Sequence, residues 1–319
     1  MPAPLHRRRA VSPEAEKGVP VQRMNRPAVF AVASFASVLL TVAGCGGGGS
    51  SNSKSKSGTT STTSSSAGRI EAPASIKSSG KLVFCSDITY PPEESYKQGT
   101  TTPEGSDIDI GTYIANKMGV KARFDNTGFD GIIAALLAKK CDLIISGMND
   151  TPERRKQVAF VDYLKVGQSF MVRKGNPKHI EGIKDLAGKS ASVETGTTNK
   201  DFLDAQSKKL RSQGLKPIKV VTFPKDTDAA NALKTGKVDA YFGDSPVVAY
   251  YVQTDPASFG VGGNPTVVNP IPIGIALRKS DTALQTAVRQ AVRAMYDDGT
   301  IDKILKRWRF AKAAEHLRP

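Results

Sequence analysis

From about residue 76 onward, apolar positions alternate between a period of two and a period near 3.6, the signature of strands and helices taking turns. Residues 81–86 (KLVFCS) read as a buried strand, followed by a turn-rich stretch at 87–92. Residues 108–118 carry helical apolar spacing and stop at Gly119, a residue suited to the left-handed position after a helix. Residues 120–124 predict a strand, Asp130 a cap for a helix over 131–139, and residues 142–146 another strand. Thr151-Pro152 reads as a cap with proline at the first helical position of a short helix. A second cycle follows: strand 190–193, helix 199–210, strand 219–222, helix 228–235 and strand 238–242. A strand near 274–277 and helices near 281–296 and 300–309 close the pattern. Such alternation predicts open, mainly parallel α/β sheets, and the ordered length is enough for two lobes.

The N-terminal part follows neither period. No charged side chain occurs between Arg26 and Lys54, and residues 28–43 are an apolar run too short to span a bilayer, which takes about 20 residues. A basic stretch, a short apolar core and small residues predict a secretory signal over residues 1–44, with Met24 as an alternative start. The run ends Val42-Ala43-Gly44-Cys45, similar to the lipobox of bacterial lipoproteins, in which the cysteine is diacylated and becomes the mature N-terminus. A plain signal peptide that happens to contain a cysteine is the alternative. Residues 46–68 hold no aliphatic side chain larger than alanine, so they cannot bury enough surface to offset the entropy of ordering. A flexible tether is expected over 45–75, its glycine- and serine-rich part reaching roughly 25–30 Å.

Composition refines this picture only in part. At 39% hydrophobic and 24% charged residues, the chain is ordinary globular material, which excludes collagen, coiled coil and polytopic membrane protein. Residues 1–44 carry six Lys/Arg against two Glu, so the chain from Cys45 keeps +11 of the formal +15. That charge suits a surface beside anionic lipids or wall polymers. Nucleic acid is not expected, since no basic helix or arginine-rich groove with interleaved aromatics is present. Three cysteines and three histidines, all scattered, predict no metal site.

Several segments together resemble the family 3 solute-binding proteins, the extracytoplasmic receptors of polar amino-acid ABC transporters. They are SDITYPP (86–92), GSDID (105–109), GFDGI (128–132), CDLIISGMNDTPER (141–154), VETGTT (193–198), VDAYFGDSP (238–246) and DGTIDKI (298–304) with Trp308. The resemblance implies a two-lobed, periplasmic-binding-protein-like fold of type II, joined by two crossovers and closing on ligand like a hinged clamp. Lobe 1 would comprise residues 76–168 and 269–310, lobe 2 residues 169–268, and 311–319 a basic tail. It further implies a lipid-anchored monomer on the outer face of the plasma membrane or in the periplasm, handing an amino acid to an ABC permease. No cofactor is expected, because ATP is hydrolysed by the partners.

An α-amino acid presents a carboxylate and an ammonium about one carbon apart, so a receptor needs a cationic fork facing an anion. Arg154 offers the fork, since guanidinium binds carboxylate bidentately; read alone, it is more often a solvated helix charge like Arg155. The resemblance places it on the ligand carboxylate beside the strand-end groups of Ser146, Gly147 and Asn149. Thr197 and Thr198 stand where a strand enters a helix, whose N-terminus favours a carboxylate; alone, Gly-Thr-Thr is often just a cap. By resemblance Asp244 takes the ammonium, though an Asp before Ser-Pro is often only a turn former. Tyr90 and Phe129 match aromatic walls, or else are ordinary core. Asp87, Glu194 and Glu93 would set side-chain specificity, and paired carboxylates suit a cationic side chain. Glu93 and Ser106 stand where relatives usually carry Phe.

Cys85 lies late in its strand and Cys141 precedes the start of another. If these strands are parallel neighbours, the Cα atoms fall beyond the limit of about 7 Å for a disulfide, and two buried thiols are favoured. The rival readings are an enzyme of the cyclohexadienyl dehydratase type on the same fold, with Glu194 or Glu93 as general acid, and a tethered amino-acid sensor. No nucleophile elbow, metal cluster or phosphate loop supports catalysis.

Overall fold

The computed structural model describes residues 68–263, 267–310 and 314–319. The signal, the lipobox with Cys45 and most of the tether lie outside the described residues. In chain order the helices are α1 (Ala74–Ser79), α2 (Ser106–Lys117), α3 (Ile132–Leu137), α4 (Pro152–Gln157), α5 (Thr198–Ser212), α6 (Asp226–Lys234), α7 (Ser245–Thr254), α8 (Thr282–Asp297) and α9 (Thr300–Arg307). The strands are β1 (Lys81–Ser86), β2 (Ser95–Tyr96), β3 (Pro103–Glu104), β4 (Lys121–Asn126), β5 (Leu143–Ile144), β6 (Val158–Arg173), β7 (Ser190–Glu194), β8 (Lys219–Phe223), β9 (Ala240–Asp244), β10 (Phe259–Gly262), β11 (Val268–Arg278) and β12 (Ala314–His316).

The strands run in the order β4-β1-β5-β11-β6-β9-β7-β8. At one end β1 is parallel to both β4 and β5; at the other, β7 is parallel to both β8 and β9. The long strands β6 and β11 join the two groups. β6 pairs antiparallel with β11 up to Val166 and Gln168, then with β9 from Gln168 to Met171. The chain therefore crosses between lobes once along β6 and returns along β11.

Each lobe buries both faces of its sheet. In β1, Leu82 and Phe84 point into a core shared with α2, α8 and α9, while Val83 and Cys85 point to the α3 side, the period-two alternation of a strand. Helix α8 buries Leu284, Ala287, Val288, Ala291, Val292 and Met295, a stripe at helical spacing. The second lobe has one core under α6 and α7, with Met171 and Tyr241, and another under α5, with Phe170, Val193 and Phe242. Gly111 lets α2 lie close on the sheet, since a Cβ there would come within 2.9 Å of the Phe124 ring.

Thr151 caps α4 as expected, accepting the Arg154 N–H at 3.2 Å, with Pro152 in the first turn. Asp130 does not cap α3: it sits inside a 3-10 turn, Phe129–Gly131, and α3 starts without a side-chain cap. The folded part begins earlier than the tether expectation allows, because the Ile70 N–H bonds Lys117 O at 2.9 Å and Ala72 is buried in the first core. Residues expected to trail as a basic tail instead form β12, antiparallel to β6.

The expectation of two free thiols is overturned: Cys85 and Cys141 form a disulfide, with Cα atoms 5.7 Å apart. In an extended strand Cys141 would sit three residues, roughly 10 Å, below Ile144, the partner of Cys85. The ladder, however, begins only at Leu143. The Asp142 N–H donates to Val83 O and its carboxylate accepts the Val83 N–H, both at 2.8 Å, which pins Asp142 beside β1. Cys141, off the ladder, turns onto the face where Cys85 points, against Ile132 and Leu136.

Candidate ligand-binding site

The residues singled out from the sequence converge where the C-terminal ends of the parallel strands of both lobes meet. Just beyond β5, Gly147 adopts φ +50°, and a Cβ there would come within 3.0 Å of the Tyr90 ring. The Gly147 N–H donates to Asp107 Oδ2 at 2.7 Å, and Tyr163 donates to Asp107 Oδ1 at 2.5 Å. Ser146 accepts the Asp87 N–H at 2.9 Å and donates to Glu94 at 2.7 Å. Asp107 and Glu94 thus fix the strand end from behind. Burial raises the Asp107 carboxyl to about 6 and holds Glu94 well above the usual carboxylate range.

Arg154, half-buried in α4, donates to Asn149 O at 2.7 Å and across the cleft to Gly196 O at 3.1 Å. Its guanidinium also lies 5.2 Å from the centre of the Phe129 ring. Burial lowers its pKa from the ordinary arginine value, offset by Asp201, Asp244 and Asp150. Thr198 donates to Asn149 Oδ1 at 2.6 Å and Asn149 donates to Asp244 at 3.4 Å, so two more cross-lobe contacts meet at Asn149. The Asp244 N–H points to Tyr90 Oη at 3.4 Å, and Tyr90 packs into the core of the opposite lobe beside Met171 and Tyr241. Asp244 is buried and its carboxyl is pushed up to about 6 by desolvation, held down by Asn199, Asn149, Tyr90 and Arg154.

Thr197 takes another part: its hydroxyl donates to Glu194 O at 2.8 Å and accepts the Lys200 N–H at 3.3 Å, so the side chain starts α5. Asp87 accepts the Phe129 N–H and the Thr89 hydroxyl, each at 2.7 Å. Across the cleft its carboxyl interacts with that of Glu194. Burial raises both, Glu194 the more, with Asp226 and Asp87 adding repulsion.

Asp226 is a site residue that the sequence did not disclose. It accepts hydroxyls from Tyr241 at 2.5 Å and Tyr251 at 2.9 Å, its N–H reaches Thr89 of the other lobe at 3.4 Å, and burial raises its carboxyl to about 7. Locally it looks like any acidic residue in a helix first turn. Asp87, Glu93, Glu194, Asp226 and Asp244 are all buried, and none forms an ion pair with a described lysine or arginine. Buried acidic side chains, whose burial favours the protonated form, face the Arg154 guanidinium, an arrangement that can take up a zwitterion. Among the described residues no cluster of histidine, cysteine or carboxylate side chains has metal-binding geometry.

The profile of the bacterial extracellular solute-binding proteins, family 3, matches residues 82–312. ABC transporter arginine-binding protein 1 of Escherichia coli K12 is 32% identical over 240 residues, spanning 72% of this chain and 90% of that protein. Among solved structures, an ancestral arginine-binding protein bound to arginine is 37% identical with a TM-score of 0.65, covering 72% of this chain and 98% of that one. The ancestral amino acid-binding protein AncCDT-1, a precursor of cyclohexadienyl dehydratase, is 33% identical with a TM-score of 0.66, covering 73% and 97%. The match extends over both lobes and every strand that carries the site, and the chain belongs to family 3 of the bacterial extracellular solute-binding proteins.

Proposed function

We propose that this chain is the lipid-anchored, extracytoplasmic receptor of an ABC importer for a basic L-amino acid. The observation that carries this reading is the opposition of Arg154 to Asp244 around Asn149 and Thr198, with uncompensated carboxylates filling the rest of the wall. Arg154 takes the ligand carboxylate and Asp244 its ammonium. The remaining carboxylates favour a cationic side chain and repel glutamate and aspartate. The relatives named for arginine support the same class. Anchoring rests on the Val42-Ala43-Gly44-Cys45 segment, and delivery to a permease on family membership. The receptor acts as a monomer and leaves its ligand chemically unchanged.

A thermal-shift panel of the twenty amino acids with ornithine and citrulline tests the ligand class, since a ligand that binds only the folded state must raise its melting temperature. Arginine, lysine, ornithine or histidine should stabilise; stabilisation by glutamate alone would refute the charge argument. Cys45→Ser should move the protein from the membrane to the soluble fraction, and persistent lipid labelling of that variant contradicts the anchor. A dehydratase reading has one observation in its favour, the carboxyls of Glu93 and Glu194, held well above the usual carboxylate range by burial, beside a neighbour on the lineage to such an enzyme. Turnover of a cyclohexadienyl acid by the purified protein would establish it in place of the receptor.

A further inference from the structure

Of the acidic groups in the wall, two already accept a hydrogen bond on each carboxyl oxygen. Both Asp87 oxygens are engaged, one by the Phe129 N–H and the other by Thr89, and both Asp226 oxygens accept tyrosine hydroxyls. Glu93 differs. It is 1% exposed, and neither of its carboxyl oxygens has a hydrogen-bond partner. On the opposite lobe Glu194 keeps one oxygen, Oε1, without a partner.

The position of Glu93 is fixed by backbone. Its carbonyl accepts the Asp107 N–H at 3.0 Å, and its neighbour Pro92 accepts the Ser106 N–H at 3.0 Å. From there its Cγ stands 3.7 Å from where a Cβ on Gly147 would lie, beside the Tyr90 ring and the strand end that carries Asn149. Burial raises its carboxyl well above the usual carboxylate range, with Asp107 of its own lobe and Asp244 and Asp226 of the other adding repulsion. A buried carboxyl with both oxygens unpartnered is costly to keep. Such a cost is met when a donor group arrives with the ligand.

We infer that Glu93 is a specificity-determining residue whose carboxylate receives the side-chain cation of the bound amino acid. This rests on the proposed function, and of the three carboxylates expected to set side-chain specificity, Asp87, Glu194 and Glu93, it singles out Glu93. Arg154 and Asp244 already satisfy the zwitterionic head, which leaves Glu93 for the far charge. The groups facing Glu93 are Glu94, Asp107, Tyr90 and Tyr163 from its own lobe and Asp226 and Asp244 from the other. None is a base that would hold Glu93 ionised. Burial and these neighbours favour its protonated form in the unliganded protein. Binding the cation therefore expels a proton from Glu93 to solvent, and affinity for a cationic ligand rises with pH.

The test titrates wild type and Glu93→Gln with arginine and with citrulline, its neutral near-isostere, at pH 5.5 and pH 8. At pH 8 the variant should lose at least tenfold in arginine affinity while citrulline changes less than twofold. The pH dependence of arginine affinity should be shallower in the variant than in wild type. Should Glu93→Gln fail to fold, Glu93→Met, of similar length and uncharged, takes its place with the same expectation. Equal losses for both ligands, or an unchanged arginine affinity and pH profile, overturn the assignment. Failure of wild type to bind arginine, lysine or ornithine at all overturns the proposed function itself, a result distinct from either.

Discussion

At the scale of single residues, the site is a contest between desolvation and pairing. Arg154 gives up water on entering the cleft wall and recovers two carbonyl bonds, one from each lobe, and its guanidinium carries further N–H donors that can engage a carboxylate. Arg154→Ala should cost about 2–5 kcal/mol of binding, a loss of thirtyfold or more, because the ligand carboxylate then lies buried without a cation. Calorimetric titration reads this directly, and wild-type affinity in that variant removes Arg154 from the site. Asp244→Asn keeps the hydrogen-bonding shape but not the charge, and should weaken every α-amino acid tested, cationic or neutral. A loss confined to cationic ligands would place Asp244 on the side chain instead of the α-ammonium. Single residues were also where sequence reasoning reached least far. Arg154, Asn149 and Asp244 stand in recurring local motifs, whereas Asp226 acquires its burial only from Tyr241 and Tyr251, on elements distant in the chain.

At the scale of elements, short-range rules account for most of what formed. The alternation in β1, the stripe on α8 and the Thr151 cap of α4 are local properties, so the sequence displays them. Strand β6 was not legible as one element. Its first half serves the first lobe's cores and its second half the other's, so its inward face changes partner part-way and no single period survives. Helix α7 was hidden by Ser245-Pro246, which also fits a turn; here proline occupies the first turn of a helix. The sequence argues against the disulfide because Cys141 precedes the start of a strand parallel to that of Cys85, whereas in the structure Asp142 is pinned beside β1 before the ladder starts and Cys141 turns toward Cys85. The closed loop has a sequence separation of 56, so removing the bond with Cys85→Ser and Cys141→Ser should cost about 2–4 kcal/mol of stability. In a domain of this size that is roughly a 5–15 °C fall in melting temperature. A melting temperature unchanged between the oxidised protein and the double variant would contradict the pairing.

At the scale of the whole molecule, the two lobes meet through a surface rich in buried acid. Asp107 and Asp244 are raised to about 6 and Asp226 to about 7, all above their unfolded value near 4. A raised carboxyl pKa means the folded state holds protons that the unfolded state releases. Its stabilising contribution is therefore present below the unfolded pKa and lost as pH rises through the folded value. The unliganded protein should be more stable near pH 5 than near pH 7.5, and a cationic ligand should raise the melting temperature more at the higher pH. A pH profile that rises steadily from 5 to 7.5 without ligand contradicts this electrostatic account. The charge pattern also explains why a net-positive chain can favour a cationic ligand: its lysines and arginines lie mostly on the outer surface, while the cleft collects the unpaired carboxylates.

The most direct measurement of the central claim is calorimetric titration of the chain from residue 46 onward with L-arginine and, separately, with L-glutamate at pH 7.5. Saturable one-site binding of arginine with no heat from glutamate is the predicted result. Saturable binding of glutamate with none of arginine would mean that the anionic wall does not select the ligand, and would contradict the account.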